Sequence, residues 1–149
     1  MRFAPVIFGC IACAATAIAA DVSVLYGTWT VNMAKSKPGD DLASMTMKIE
    51  PNGPNTYHTI IDRVMKSGEK SHTDLNRICN GKENPVTGAG VPAGASEICE
   101  QVTPSSIKAT QKRDGKTISE FTSTVSADGK ALTNVRKGGR DETLVFEKQ

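Results

Sequence analysis

Short runs of alternating polar and apolar residues, separated by glycine-containing turns, constrain this chain more than any other feature of its sequence. Residues 25–31, 44–49 and 106–110 alternate with a period of two, as side chains on the two faces of a half-buried β-strand do. After residue 20, no stretch keeps the three- and four-residue apolar spacing of an amphipathic helix. The sequence therefore predicts an all-β protein.

The turns between these runs are typical of β-hairpins. They contain Asn52-Gly53, Ser67-Gly68, Asp114-Gly115 and Asp128-Gly129, and such pairs favour the positive φ angles that tight hairpin turns require. Strands are predicted at 25–32, 43–50, 55–66, 69–79, 96–102, 105–113, 116–126, 130–137 and 142–148. Eight or nine consecutive antiparallel strands are enough to close a single up-and-down β-barrel, which is the predicted fold.

The first twenty residues have the composition of an export signal. Arg2 precedes an apolar run over residues 3–20, and residues 17–19, Ala-Ile-Ala, supply the small side chains that a cleavage site requires. We therefore predict a signal peptide at 1–19 and a barrel domain at 20–149. The mature chain is expected to be periplasmic or secreted, without a membrane span.

The four cysteines fall into two pairs. Cys10 and Cys13 lie within the predicted signal, where lipidation of one of them and anchoring as a lipoprotein is the less favoured alternative. Cys79 and Cys99 remain in the mature chain, and an oxidising compartment favours a disulfide between them. The bond would hold the base of a Gly- and Pro-rich loop at 80–95, which could be a lid, a binding loop or a spacer.

Charge and motifs argue against several classes of function. The chain has 18 Lys and Arg against 16 Asp and Glu, and these charges are scattered, so nucleic acid is not expected as a partner. The sequence contains neither a Gly-x-Ser-x-Gly nucleophile motif nor the Gly-Lys-Ser/Thr ending of a phosphate-binding loop. No cofactor is predicted.

Gly27-Thr28-Trp29, at the start of the first predicted strand, resembles the Gly-x-Trp signature of lipocalins, in which the Trp closes one end of the barrel. A broader resemblance, to a lipocalin-like (calycin) family of small exported bacterial proteins largely without an assigned activity, rests on residues 27–37, 80–88 and 126–133. The resemblance implies a lipocalin-like barrel, export, and an arginine packed across the Trp, for which Arg136 and Arg140 are candidates. The cysteine pair departs from that family's pattern.

The two strands joined at residues 67–68 carry the candidate chemistry. With a two-residue turn there, His58 and His72 point to opposite faces of the sheet, which argues against a metal site. The same register places Arg63, His72 and Asp74 on one face, where they could hold a ligand's carboxylate or act as acid and base. A solvated outer face with cross-strand charge pairs is the preferred interpretation, and the sequence leaves open which face points inward.

An eight-stranded barrel is either filled by its own side chains or wide enough to hold one small ligand. The leading hypothesis is therefore binding of a small, partly apolar or amphipathic molecule, without a metal. The tentative ligand-binding residues are Trp29, Met45, Met47, Arg63, His72 and Asp74. A protein-interaction or inhibitor module that presents the 80–95 loop is the second hypothesis, and an enzyme using the Arg63, His72 and Asp74 cluster is the third. The sequence does not indicate the oligomeric state.

Overall fold

The computed structural model describes residues 21–149, so the predicted signal peptide and the lipidation alternative lie outside the described residues. Two short 3-10 helices, Ser23–Leu25 and Met33–Lys35, flank the first strand. Across residues 21–149, no helix is long and apolar enough to cross a membrane.

Ten antiparallel strands form one sheet that curves into a near-closed barrel. They are β1 (Gly27–Val31), β2 (Leu42–Pro51), β3 (Thr56–Met65), β4 (Lys70–Ile78), β5 (Glu83–Pro85), β6 (Ala95–Thr103), β7 (Ser106–Arg113), β8 (Lys116–Val125), β9 (Ala131–Lys137) and β10 (Glu142–Lys148). Their order in the sheet is β4-β3-β2-β1-β10-β9-β8-β7-β6-β5. The predicted all-β antiparallel barrel is confirmed, but the predicted count of eight or nine strands is wrong because β5 forms inside the predicted 80–95 loop.

The segment after β5 closes the barrel wall against β4. The Asn76 amide donates to the Thr87 carbonyl oxygen at 2.8 Å, and the Asp74 amide donates to the Ala89 carbonyl oxygen at 2.9 Å. We call this contact between β4 and residues 87–89 the seam. The sequence did not indicate this structure because Gly81, Pro85 and Gly88 lie in or beside β5, and such residues are usually found in loops.

A disulfide joins the end of edge strand β4 to β6, the neighbour of the opposite edge strand β5. Cys79 follows β4 and Cys99 lies in β6, and both are fully buried with their Cα atoms 4.5 Å apart. The predicted pairing is confirmed. Because β4 and β5 are the two ends of the strand order, this bond from the end of β4 to β6 covalently bridges the gap between the two ends of the sheet.

The N-terminal segment covers one end of the barrel, the closed end. Trp29 is fully buried, and its indole N–H donates to the Leu25 carbonyl oxygen at 2.8 Å. Lys148, which pairs with Trp29 across the β1–β10 ladder, places its Nζ 5.1 Å from the ring centre. Lys148 therefore takes the position expected for Arg136 or Arg140, and that expectation is wrong.

Removing the disulfide tests how much the covalent link contributes. We expect the double variant Cys79→Ala, Cys99→Ala to lose about 3 kcal/mol of unfolding free energy, because a cross-link spanning about 20 residues restricts the unfolded chain by roughly that amount. Urea denaturation followed by Trp29 fluorescence measures the loss. Reduced wild-type protein is the matched control, and equal stability of oxidised and reduced protein would contradict the expectation.

Candidate functional site

The barrel is hollow, and its interior holds a cavity of about 140 Å³. We call this space the inner cavity. Its apolar walls come from strands on opposite sides of the barrel, including Met45 and Met47 on β2 and Ile107 and Phe121 on β7 and β8. The volume far exceeds the roughly 10–15 Å³ that one water molecule requires, so the core is not filled by its own side chains.

A second space of about 280 Å³ adjoins the inner cavity at the other end of the barrel, the open end. We call it the outer chamber. Val86, Val91 and Pro92, which follow β5, form one of its walls. Arg77 and Arg136 line both spaces, so these two side chains stand at their junction.

Arginines reach the interior because they occupy inward-facing strand positions. Side chains alternate between the two faces of a strand, and Arg63 lies on the same face of β3 as the buried Tyr57. Arg77 on β4 and Arg136 on β9 likewise line the inner cavity. Arg77 is held between a counter-ion and an aromatic ring, with its guanidinium carbon 5.2 Å from the centre of the Phe121 ring.

Three carboxylates face these arginines and a fourth, Arg140, from the turn between β9 and β10. Asp40 accepts from Arg63 Nη2 at 2.8 Å and also contacts Arg140. Glu142 lies 3.5 Å from the Nε of both Arg136 and Arg140. Glu97 Oε2 lies 3.8 Å from Arg77 Nη2. Four guanidinium groups against three carboxylates leave the cluster with one positive charge in excess.

The buried surroundings change the proton affinity of several of these groups. Burial lowers the pKa of Arg136, the positive charges of Arg140, Arg77 and Arg63 lower it further, and Glu142 offsets part of the effect. Burial by itself would lower the pKa of Arg77. Glu97 and Tyr57 together have the larger effect, so the pKa of Arg77 is raised.

Burial raises the pKa of Tyr57 to about 12. The phenol is therefore neutral at physiological pH, with its hydroxyl 3.9 Å from the Cys99 sulfur. A neutral hydroxyl beside a guanidinium can both donate to and accept from a polar ligand group.

Several buried polar atoms of this cluster have no hydrogen-bond partner within residues 21–149. They are Thr59 Oγ1, both carboxylate oxygens of Glu97, Glu142 Oε2 and the Nε atoms of Arg63, Arg77, Arg136 and Arg140. A buried polar atom without a partner costs about 1–3 kcal/mol, and more when it is charged. Thr59, Arg63, Arg77, Arg136 and Glu142 line the inner cavity, whereas Glu97 and Arg140 do not.

The structure brings three of the six predicted ligand residues to the cavity. Met45, Met47 and Arg63 line it. Trp29 lies in the closed end, where its indole N–H is already bonded. His72 and Asp74 lie on the outer face of the barrel.

The outward position of these two residues follows from the turn between β3 and β4. The Met65 amide donates to the Glu69 carbonyl oxygen at 2.8 Å, so the turn contains three residues rather than two. Gly68 has a φ of 88° and occupies the third turn position, where three-residue hairpin loops require a left-handed residue. The predicted two-residue turn at 67–68 is therefore wrong, and the register shifts by one residue.

This shift changes which residues share a face. His72 pairs with Asp62, and both histidines occupy the outer face, so the prediction that they point to opposite faces is wrong. Arg63 points inward, away from His72 and Asp74, so the predicted three-residue cluster does not form.

The two histidines instead form surface hydrogen bonds. His58 Nε2 lies 2.6 Å from Asp74 Oδ1, and His72 Nδ1 lies 2.6 Å from Asp62 Oδ1. In the part of the chain that the structure describes, no three His, Cys, Asp or Glu side chains are grouped to hold a metal ion.

Comparison with known proteins adds information on the fold. No protein-family model matches the chain, and none of the curated proteins matches its sequence. Among solved structures, the wild-type fluorescent protein UnaG superposes with a TM-score of 0.62 at 14% identity, over 87% of this chain and 99% of UnaG. This chain shares the fold of UnaG.

Two variants of UnaG, in which an asparagine is replaced by alanine or by glutamine, superpose equally well. Their TM-scores are 0.62 and 0.61 at 13% and 14% identity, over 87% and 86% of this chain and 98% of each variant. The likeness to UnaG and its variants is one of fold and supports the predicted antiparallel barrel, whereas the resemblance to a family of exported bacterial proteins stays a prediction.

The buried ion pairs can be tested through Glu142, whose side chain is 4% exposed. We expect Glu142→Gln to lower the free energy of unfolding by about 3 kcal/mol, because it leaves Arg136 without a counter-ion and Arg140 with Asp40 alone. The matched control is Glu147→Gln, which removes the same charge from an exposed pair with Lys35 and should leave stability nearly unchanged. Equal effects of the two substitutions in chemical denaturation would show that the buried network is not stabilising.

Proposed function

We propose that the barrel binds one small, partly apolar molecule that carries an acidic group. The observation that supports this most directly is that Arg77 and Arg136 line both the inner cavity and the outer chamber. A carboxylate, sulfonate or phosphate oxygen accepts from guanidinium groups in charge-assisted hydrogen bonds. The excess positive charge of the cluster favours an anion over a neutral or cationic molecule.

The walls of the cavity suggest how such a molecule would lie. Met45, Met47 and Phe146 offer an apolar surface in the inner cavity, where methionine side chains adapt to ligands of different shape. Arg77 and Arg136 stand where the inner cavity meets the outer chamber. The apolar part would occupy the inner cavity, with the acidic group held at this junction.

The other two functional hypotheses have less support. Residues 83–89 belong to the barrel wall rather than to a free loop, which weakens the case for a module that presents the 80–95 segment to a protein partner. Arg63 lies on the opposite face from His72 and Asp74, which removes the cluster on which the enzyme hypothesis was based.

We also infer that the protein acts outside the cytoplasm, as an exported barrel. Two features support this inference: the signal-like composition of residues 1–19 and the buried Cys79–Cys99 bond, since such bonds form and persist in oxidising compartments. The resemblance to the exported bacterial family supports the same location.

Two matched dyes test the proposed ligand class. 1-Anilinonaphthalene-8-sulfonate (ANS) and N-phenyl-1-naphthylamine share an aromatic framework, but only ANS carries an acidic group. We expect the wild-type protein to bind ANS about tenfold more tightly, a difference of about 1.4 kcal/mol, because a hydrogen bond to a charged group contributes about that much. Fluorescence titration measures both dissociation constants.

Two substitutions then test which residue causes the preference for the acidic dye. Arg136→Met should weaken ANS binding about tenfold and leave binding of the neutral dye unchanged, because only the acidic group contacts the guanidinium. Lys108→Met, which removes the same charge beside Glu120 on the outer face, is the control and should alter neither affinity. Equal affinity for the two dyes, or equal weakening of both by Arg136→Met, would refute the proposal.

A further inference from the structure

The seam holds far fewer backbone hydrogen bonds than the ladder on the other side of β4. The β3–β4 ladder holds nine directly opposed residue pairs, from Thr56 and Ile78 to Val64 and Lys70. The seam, within the described chain, consists of three backbone hydrogen bonds: the two already described and a longer one from the Thr87 amide to the Asn76 carbonyl oxygen at 3.4 Å. Local opening free energies are lowest where few backbone hydrogen bonds and few apolar contacts hold a segment.

The segment on one side of the seam, residues 86–94, is attached to the barrel at its two ends. We call it the flap. The Val86 amide donates to the Ala95 carbonyl oxygen at 3.1 Å, and the Asp114 amide donates to the Gly94 carbonyl oxygen at 3.0 Å. Between these attachments, the backbone hydrogen bonds from residues 21–149 to the flap are those of the seam, and its side chains line the outer chamber.

A glycine permits the close approach of the flap to β4. Gly88 has a φ of 132°, and a Cβ atom added there would lie 1.8 Å from the Asp74 carbonyl oxygen. Any larger residue would therefore push the flap away from β4. The seam closes only with glycine at this position.

The disulfide limits how far the two edges can separate. Cys79 lies three residues beyond Asn76 and five beyond Asp74 along the chain, which corresponds to roughly 10 and 17 Å of extended strand. The seam bonds of Asn76 and Asp74 therefore lie at increasing distances from the disulfide, toward the open end. The two edges can thus part at the open end while Cys79–Cys99 holds them at the other.

We propose that the flap swings outward at the seam, with the Cys79–Cys99 bond as the fixed edge, and that this movement admits ligand to the arginine cluster. The flap's Val91 and Pro92 share the outer chamber with Arg77 and Arg136, so its displacement exposes that junction directly. The passage of ligand rests on the proposed function, whereas the movement of the flap does not.

Two glycine variants test the passage of ligand. Gly88→Ala should accelerate ANS association and dissociation at least about fivefold in stopped-flow fluorescence, because the seam cannot close fully. Gly53→Ala is the matched control: Gly53 also has a positive φ, of 104°, but an added Cβ there would meet nothing within 4 Å, so ANS kinetics should not change. Equal rates in Gly88→Ala and wild type would overturn the proposed route.

A cross-link across the seam tests the opposite change, because it keeps the seam closed. Asn76 and Thr87 are directly opposed across the seam and exchange both backbone hydrogen bonds, a geometry with Cα atoms about 5.5 Å apart that a disulfide can span. The oxidised double variant Asn76→Cys, Thr87→Cys should slow ANS association at least about tenfold relative to each single variant. Unchanged association in the cross-linked protein would show that ligand uses another route.

Amide hydrogen exchange on ligand-free wild type tests the movement independently of any ligand. The Asp74 and Asn76 amides, which donate across the seam, should exchange faster than the amides of the β3–β4 ladder. Equal protection of both sets would overturn the proposed movement. If the wild-type protein does not bind ANS but these amides exchange rapidly, the ligand proposal fails and the flap movement stands.

Discussion

The buried ion pairs between arginines and carboxylates determine whether the interior of this barrel can pack as a dry apolar core. Charged groups that leave bulk water require partners, and the partners here satisfy them only in part: Glu97 and Arg77 are 3.8 Å apart, beyond a normal hydrogen bond. An interior of this kind cannot collapse into a dry apolar core without leaving charges unpaired. The hollow barrel and the proposed preference for an acidic ligand thus have one physical origin.

The same interior depends on how the sheet is closed. Most of the wall is a continuous strand ladder, which leaves few unpaired backbone groups and holds the inward-facing arginines in register. The two edges of the sheet meet at the seam and at the Cys79–Cys99 bond. A wall that is covalently closed at one point and lightly bonded at another shields the cavity and, through the proposed flap movement, exchanges its contents.

Much of the fold could be predicted from the sequence, because alternation and turn residues are local signals. All nine predicted strands are present within a few residues of their expected bounds, and the cysteine pair forms the expected bond. β5 could not be predicted, since its three residues are too short to show alternation and are paired only through the tertiary structure.

The site was harder to predict from the sequence than the fold, because it depends on the register in which β3 and β4 pair. Ser67-Gly68 is compatible with a two-residue or a three-residue turn, and the difference of one residue moves every side chain of β4 to the other face. His72 and Asp74 were therefore placed with Arg63, whereas Arg77 was overlooked. One signal was present: Arg77 belongs to a strand whose inward positions also include Leu75, and a charged residue on a buried face is a candidate for function.

The most direct test of the central claim is an NMR measurement of the arginine Nε–H resonances in ¹⁵N-labelled protein during titration with ANS. If the acidic group binds where we propose, the Nε–H signals of Arg77 and Arg136 shift in proportion to ANS occupancy, while the backbone amides of His58 and His72 on the outer face do not move. If ANS saturates the protein without moving the two arginine signals, or moves the outer-face amides instead, the cavity is not the binding site and the account is wrong.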